Sequence, residues 1–382
     1  MYHMSKKKII IGILVTALLS SCLTVAGLCF ALGINFKQAG DIARFFGVKH
    51  FIEARYVNEV DDSQLMDGAI SGMVQSLGDP HSIYLQADMY QELKAHTEGE
   101  FGGIGVTMGF KDNKVTIISV LPDTPGEKAG LKAGDEILAV DGTPVSEMQS
   151  EEVAMHIRGE VGTHVTLTIS RDGSESDYDI ERATIKIETA KGKMLADGMG
   201  YIRIASFSEN TDKEFEAAYK ELEAQGMKGL IIDLRENPGG LVTSCVNIAN
   251  MVVPKGPIVS VVERDGSKEV HESKLEEEKY PIVVLIDGNS ASASEILAGA
   301  LQDTGAATIV GTKSYGKGSV QVVMPMFHKD ALKLTIAKYY TPNGRCIDGI
   351  GIEPDVEVDF QPGDTTDVQL EKAEEVLRQK MQ

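Results

Sequence analysis

The chain has 382 residues, 37 Lys and Arg against 57 Asp and Glu, a formal net charge of −20 and 42% hydrophobic residues. That length exceeds one domain of roughly 100–200 residues. The acidic excess excludes the basic footprint that nucleic-acid binding needs, and the apolar fraction excludes global disorder. Four cysteines are too few for a disulfide-built scaffold.

Lys6, Lys7 and Lys8 precede 26 residues without a charge, Ile9 to Ile34. As a helix at ~1.5 Å per residue this run is about 39 Å long, enough to span a hydrocarbon core of about 30 Å with some tilt. It exceeds a signal-peptide core of roughly 7–15 residues. The lysines sit on its N-terminal side, which puts that end in the cytoplasm. The sequence therefore predicts a transmembrane helix within residues 1–35 and an extracytoplasmic remainder. Leu19-Ser20-Ser21-Cys22 resembles a lipoprotein cleavage box, but the chain stays apolar to Ile34 where a lipidated cysteine would need a polar tether.

Residues 36–97 read as helical. Phe45, Val48, Phe51, Ile52 and Val57 recur at helical spacing, Leu65 to Leu77 continues the pattern, and Gly78-Asp79-Pro80 breaks it. From Gly99 the period changes to two, with strands expected at Ile104–Val106, Val115–Val120 and Val165–Ser170 and turn clusters between them. Residues 98–185 thus form a small β-rich domain. From Gly198 strands and helices alternate: Gly200–Ile204, Thr211–Gln225, Leu230–Leu234, a helix to Met251, Ile282–Ile286, and a helix from Ser290 through Leu301. That alternation predicts a layered α/β core over residues 186–361, followed by a tail, 362–382, with a short helix from Val368 to Met381. The fold class is α+β multidomain.

Four motifs carry candidate chemistry. Ser290-Ala291-Ser292-Ala293-Ser294-Glu295 stands between a buried strand and a helix, where free N–H groups favour developing negative charge. Ser292 with Glu295 three residues on is equally a capping box. Lys317 lies between Gly316 and Gly318, and a buried lysine with a depressed pKa can act as a base; Gln321 follows four residues later, although the local period is that of a strand. Asp233 to Gly240 closes a strand on Gly239-Gly240, whose backbone N–H groups suit an oxyanion hole or an ordinary turn. Phe101-Gly102-Gly103-Ile104-Gly105 opens the β-rich domain and can receive a peptide carboxylate on backbone N–H groups, the peptide adding as a strand. His81 is the histidine best placed for a pair with a serine, though its turn favours a structural role. No His, Cys or carboxylate spacing suggests a metal, and Cys245 and Cys346 read as small apolar residues whose pairing the sequence leaves open.

These motifs, in this order and together with Asp79-Pro80-His81-Ser82, Ala129 to Asp135, Thr341 to Gly344 and Gly351 to Asp355, resemble those of the carboxy-terminal processing, or tail-specific, proteases. The resemblance implies a PDZ domain over residues 98–185 and a serine protease core with a Ser-Lys dyad. Ser292 would be the nucleophile, Lys317 the base and Gln321 its support. Gly239 or Gly240, together with Ala293, would donate to the oxyanion. Gly102, Gly103, Ile104 and Gly105 would bind a peptide, and Arg158 would couple the PDZ domain to the catalytic residues. It implies no metal or organic cofactor, protein or peptide substrates with free apolar C-termini, and dimers or higher assemblies. The expected protein is a membrane-anchored endopeptidase of the cell envelope. The alternative, a PDZ adaptor with an inactive core, is opposed by the presence of all three of Ser292, Lys317 and Gln321. A lipid or ester hydrolase is opposed by the lack of Gly-x-Ser-x-Gly.

Overall fold

The computed structural model describes residues 6–31, 35–111, 114–361 and 364–382. The chain divides into two units, residues 1–78 and 79–382.

The first unit is helical, over Lys6–Ala31, Phe36–Arg55 and Asp62–Gln75. The second helix starts at a reciprocal cap: Gln38 N–H donates to Oδ1 of Asn35, and Asn35 N–H to Oε1 of Gln38. Asp61 caps the third through Ser63 N–H at 2.8 Å. Among the described residues no helix is long and apolar enough to cross a membrane. The transmembrane helix expected from sequence is therefore not borne out. The helix that forms opens on three lysines, and the last three residues of the expected apolar run, 32–34, lie outside the described residues.

In the second unit the β-rich domain is a sheet of Val106–Lys111, Lys114–Val120, Glu136–Val140, His164–Arg171 and Ser174–Glu181, with the helix Ser150–Ile157. Alternation along the strands sends Val115, Ile117, Val165, Leu167 and Ile169 into one core with Val153 and Ile157 of the helix. Chain entry and exit are tied together as a ribbon, Glu100–Gly103 against Ala183–Lys186. Ile104 and Gly105 lie outside the strand expected to hold them.

The larger core has two sheets with helices between. One sheet runs, in spatial order, Ala190–Met194, Met199–Ile204, Gly229–Asp233, Ile282–Ile286, Ala307–Gly311 and Val356–Glu357; all neighbours after the first pair are parallel. Gly229–Asp233 and Ile282–Ile286 are buried throughout, as an apolar run covered on both faces must be. Helices Thr211–Ala224, Val242–Val252 and Ala293–Asp303 bury one face of this sheet against Ile258, Val259 and Tyr339 of the second sheet. The helix Val368–Lys380 covers the other face through Ala373 and Leu377. Its capping Asp367 holds the Arg235 guanidinium, which also grips buried Asp233.

The second sheet joins Ile83–Leu85, Ala331–Tyr340, Gly256–Glu263, Lys268–Ser273 and Ser319–Pro325. Ile83–Leu85 departs from the helical reading of residues 36–97. Its Tyr84 and Leu85 are buried, and the strand pairs antiparallel with Ala331–Lys333.

Candidate active site

Three serines alternate at the end of the strand Ile282–Ile286, and their hydroxyls have different fates. Ser290 Oγ donates to Leu234 O at 2.8 Å and Ser294 Oγ to Asn237 O at 3.0 Å. Both are fully buried and knit this loop to the one after Gly229–Asp233. Ser292, between them, is 7% exposed. Its backbone stands at φ 54°, ψ −111°, immediately before the helix Ala293–Asp303. A non-glycine residue held there stores about 1–3 kcal/mol of strain, which persists only where the surroundings over-determine it, and this is the kind of strand-to-helix turn that exposes a nucleophile.

What over-determines it is Glu295, a fully buried carboxylate. Its Oε2 accepts the N–H of Ser292 at 2.8 Å and the N–H of Lys317 at 2.8 Å. Its Oε1 accepts Ser314 Oγ at 2.6 Å and Gly316 N–H at 2.7 Å. One oxygen thus fixes the backbones of both Ser292 and Lys317 across 25 residues of chain. The capping reading of the Ser292–Glu295 pair and the functional reading coexist.

The Asp233–Gly240 loop lies against this turn. A Cβ at Gly239 would sit 2.8 Å from Cβ of Ser292, and one at Gly240 would sit 2.1 Å from Phe207 O; both also have positive φ, so neither site admits a side chain. Gly239 N–H already donates to Oδ1 of buried Asn237 at 2.8 Å, which removes it as an oxyanion donor. The N–H groups of Gly240 and Ala293 make no hydrogen bond among the described residues.

The half-buried amine of Lys317 has its pKa lowered, first by burial and then by the neighbouring charge of Lys333, with Glu295 and Asp79 pulling the other way. If Lys317 is a catalytic base it must be neutral to act, so activity should rise with pH through this depressed value. Lys333→Met keeps the aliphatic stem and removes the repulsion. Its pH–rate profile should therefore rise at higher pH than wild type, with the lost neutral-pH activity recovered in alkali. A rising limb that stays in place would exclude this coupling.

Gln321 is not joined to Lys317 among the described residues. Its Nε2 donates to Ser319 Oγ at 2.9 Å and Thr335 Oγ1 at 3.2 Å. Across the strand, the Asp79 carboxylate accepts Ser82 Oγ at 2.5 Å and His81 N–H at 3.0 Å. Burial pushes the Asp79 carboxyl up, but these hydrogen bonds outweigh it and hold its pKa at about 2. Ser82 in turn accepts Thr335 N–H at 3.0 Å. The Asp79–Ser82 turn therefore anchors the strand beside Gln321, and His81 contributes its backbone.

In the β-rich domain Gly102 and Gly103 are committed to the ribbon. The N–H groups of Ile104 and Gly105 have no partner among the described residues. The Arg158 guanidinium lies 4.5 Å from the centroid of the Phe101 ring, so it is stacked rather than free at the surface. Its helix end is held by buried Arg182, which donates to the carbonyls of His156 and Ile157. Among the described residues no cluster could hold a metal, and Cys245 and Cys346 are both free thiols.

A carboxy-terminal-processing protease of Bartonella bacilliformis is 42% identical over 334 residues, covering 85% of this chain and 76% of that protein. The chain belongs to the carboxy-terminal processing proteases. Models of three families match this protease: peptidase family S41 over residues 198–358, the PDZ domain over 102–181 and the activating protease CtpB N-terminal domain over 35–89. The carboxy-terminal processing protease CtpA of Bacillus subtilis is 37% identical over 360 residues, covering 92% of this chain and 77% of that one. Among solved structures, the photosystem II D1 C-terminal processing protease matches with a TM-score of 0.51 at 27% identity, over 90% of this chain and 98% of that one. The chain is thus a serine-type peptidase carrying a PDZ domain.

Sequence reasoning passed over three residues that build this protease's site: Glu295 as a clamp on two backbones, Asn237 and Lys333. Only Glu295 left a signal, the capping box, and that signal carries no hint of Lys317.

Proposed function

We propose that this protease cuts polypeptide chains by acyl transfer to Ser292 with Lys317 as the base. Neutral Lys317 takes the Ser292 proton as Oγ attacks the peptide carbonyl. The tetrahedral oxyanion is met by the N–H groups of Gly240 and Ala293. The ammonium of Lys317 then protonates the leaving amine, and water, deprotonated by the same amine, releases the acyl group and restores Ser292. Gln321 supports the strand next to the base rather than the amine itself. The observation that carries this reading is the single Glu295 oxygen holding the N–H of both Ser292 and Lys317.

The PDZ domain would take a free apolar C-terminus, its carboxylate on the N–H groups of Ile104 and Gly105 and its strand along the sheet edge Val106–Lys111, with Arg158 passing occupancy to the core. Membrane attachment and envelope substrates belong to the same proposal; Lys6–Lys8 and the uncharged run behind them support it, while among the described residues no helix is long and apolar enough to span. The test compares one protein substrate with a free C-terminus against the same substrate amidated there. The free form should be cut at least about 10-fold faster, since a charge-assisted hydrogen-bonded contact contributes about 1.5–3 kcal/mol, and Arg158→Ala should erase the difference. Equal rates for both substrates would exclude carboxylate capture.

A further inference from the structure

Asn237 stands where several segments of the core meet, and each of its four polar atoms is bonded to one of them. It is fully buried, in the loop that follows the strand Gly229–Asp233. Its Nδ2 donates to Ile204 O, at the end of the strand Met199–Ile204, at 2.8 Å, and its Oδ1 accepts Gly239 N–H at 2.8 Å. Its own N–H donates to Leu234 O at 3.2 Å. Its own carbonyl accepts Ala291 N–H and Ser294 Oγ, both at 3.0 Å, so it grips the turn on either side of Ser292 and Ala293. The glycine pair is fastened from its other side: Phe207 N–H donates to Gly239 O at 2.9 Å, and Leu241 N–H to Phe207 O at 2.7 Å. In a trans peptide the C=O and the N–H point opposite ways. With Gly239 O turned to Phe207, the N–H of Gly240 is turned away from it.

We propose that Asn237 is a positioning residue for the oxyanion hole: its amide, bridging Ile204 O and Gly239 N–H, and its carbonyl, bridging Ala291 and Ser294, hold the N–H groups of Gly240 and Ala293 at the spacing one substrate oxyanion needs. The side chain must be an amide, because Ile204 O can only accept and Gly239 N–H can only donate. By engaging Gly239 N–H it leaves a single donor from the glycine pair. Asn237 acts through the two donors and exchanges no proton in the reaction. This inference rests on the Ser292–Lys317 reading and deepens its oxyanion step.

Two peptides separate the transition state from the ground state. A peptide aldehyde takes a bond from Ser292 Oγ at its carbonyl carbon, the serine proton passing to Lys317, and sets its oxygen against both donors. The same peptide with a methylene in place of that carbonyl binds without them. In Asn237→Ala, kcat should fall about 10²- to 10³-fold, the loss that follows removal of one oxyanion donor, and the aldehyde should bind more weakly by the same factor. KM and the affinity of the methylene peptide should stay within about twofold of wild type, and the rising limb of the pH profile should not move. A kcat within twofold of wild type overturns the proposal. So does a loss of kcat matched by an equal loss of methylene-peptide affinity or by a moved pH limb, which marks a site that has come apart. Should Asn237→Ala fail to fold, Ser294→Ala decides, since it removes only one hydroxyl from the Asn237 carbonyl. It should lower kcat and aldehyde affinity together by about 3- to 10-fold with the methylene peptide unaffected, and wild-type values for both overturn the proposal. A wild-type protein that neither hydrolyses peptides nor binds the aldehyde overturns the Ser–Lys reading and, with it, this one.

Discussion

Ser292→Ala should reduce peptide hydrolysis by about 10⁴- to 10⁶-fold, the loss that follows removal of a serine nucleophile when the rest of the site remains. Its fold should persist. The substitution deletes one hydroxyl, while the clamp that fixes the turn uses the backbone N–H of residue 292 and not its side chain. Lys317→Ala should fail to a similar degree. Lys317→Arg should fail as well, because a guanidinium keeps its proton, although its backbone can still donate to Glu295. Near-normal turnover of an unfolded protein by any of these three variants would refute the dyad. The thermal midpoint should separate this loss from unfolding, shifting by only a few degrees in Ser292→Ala.

Glu295 should be the residue whose replacement damages activity and stability together. It receives four hydrogen bonds in a fully buried setting. Glu295→Gln keeps the shape but turns an NH₂ group toward donors, whichever way the amide faces. Either the pair from Ser292 and Lys317 or the pair from Ser314 and Gly316 loses its acceptor. Each buried unsatisfied group costs about 1–3 kcal/mol, so stability should fall by roughly 2–5 kcal/mol in urea unfolding. With the two backbones no longer sharing an anchor, kcat/KM should drop at least about 100-fold, as expected when reacting groups shift by an ångström. Glu295→Ala leaves all four donors without an acceptor and should be worse on both counts. A Glu295→Gln protein with the wild-type midpoint and wild-type kcat/KM would show that the clamp is incidental. Ser292→Ala and Glu295→Gln thus separate two kinds of loss, chemistry alone against chemistry with stability.

The legible part of the fold was its repetitive part. Ile282–Ile286 appears where five consecutive apolar residues put it, because a strand buried on both faces has no alternation to misread. Thr211–Ala224 ends one residue before its expected end, at a turn with Gly226 at φ 85°. Ile83–Leu85 was hidden because three residues between two helices carry no period, and its partner lies some 250 residues away. The site was legible in composition and opaque in geometry. Three serines look alike in sequence; Ser290 and Ser294 are assigned to the scaffold only by carbonyls at Leu234 and Asn237, more than 50 residues upstream. Gly239 and Gly240 were equivalent until the Asn237 side chain claimed one of the two N–H groups. Gln321 follows Lys317 at a spacing that suits a helix, but the chain there enters a strand, so its amide turns to Thr335.

The central claim is that Ser292 forms the acyl-enzyme. The most direct test treats the full-length protein with a fluorophosphonate at mildly alkaline pH, measures its intact mass and maps the adduct by peptide sequencing. The account predicts one adduct per chain, on Ser292, absent from Ser292→Ala and slowed by orders of magnitude in Lys317→Ala. An adduct on Ser290, Ser294 or any other serine, or a protein that hydrolyses peptides at full rate while Ser292 stays unmodified, would contradict it.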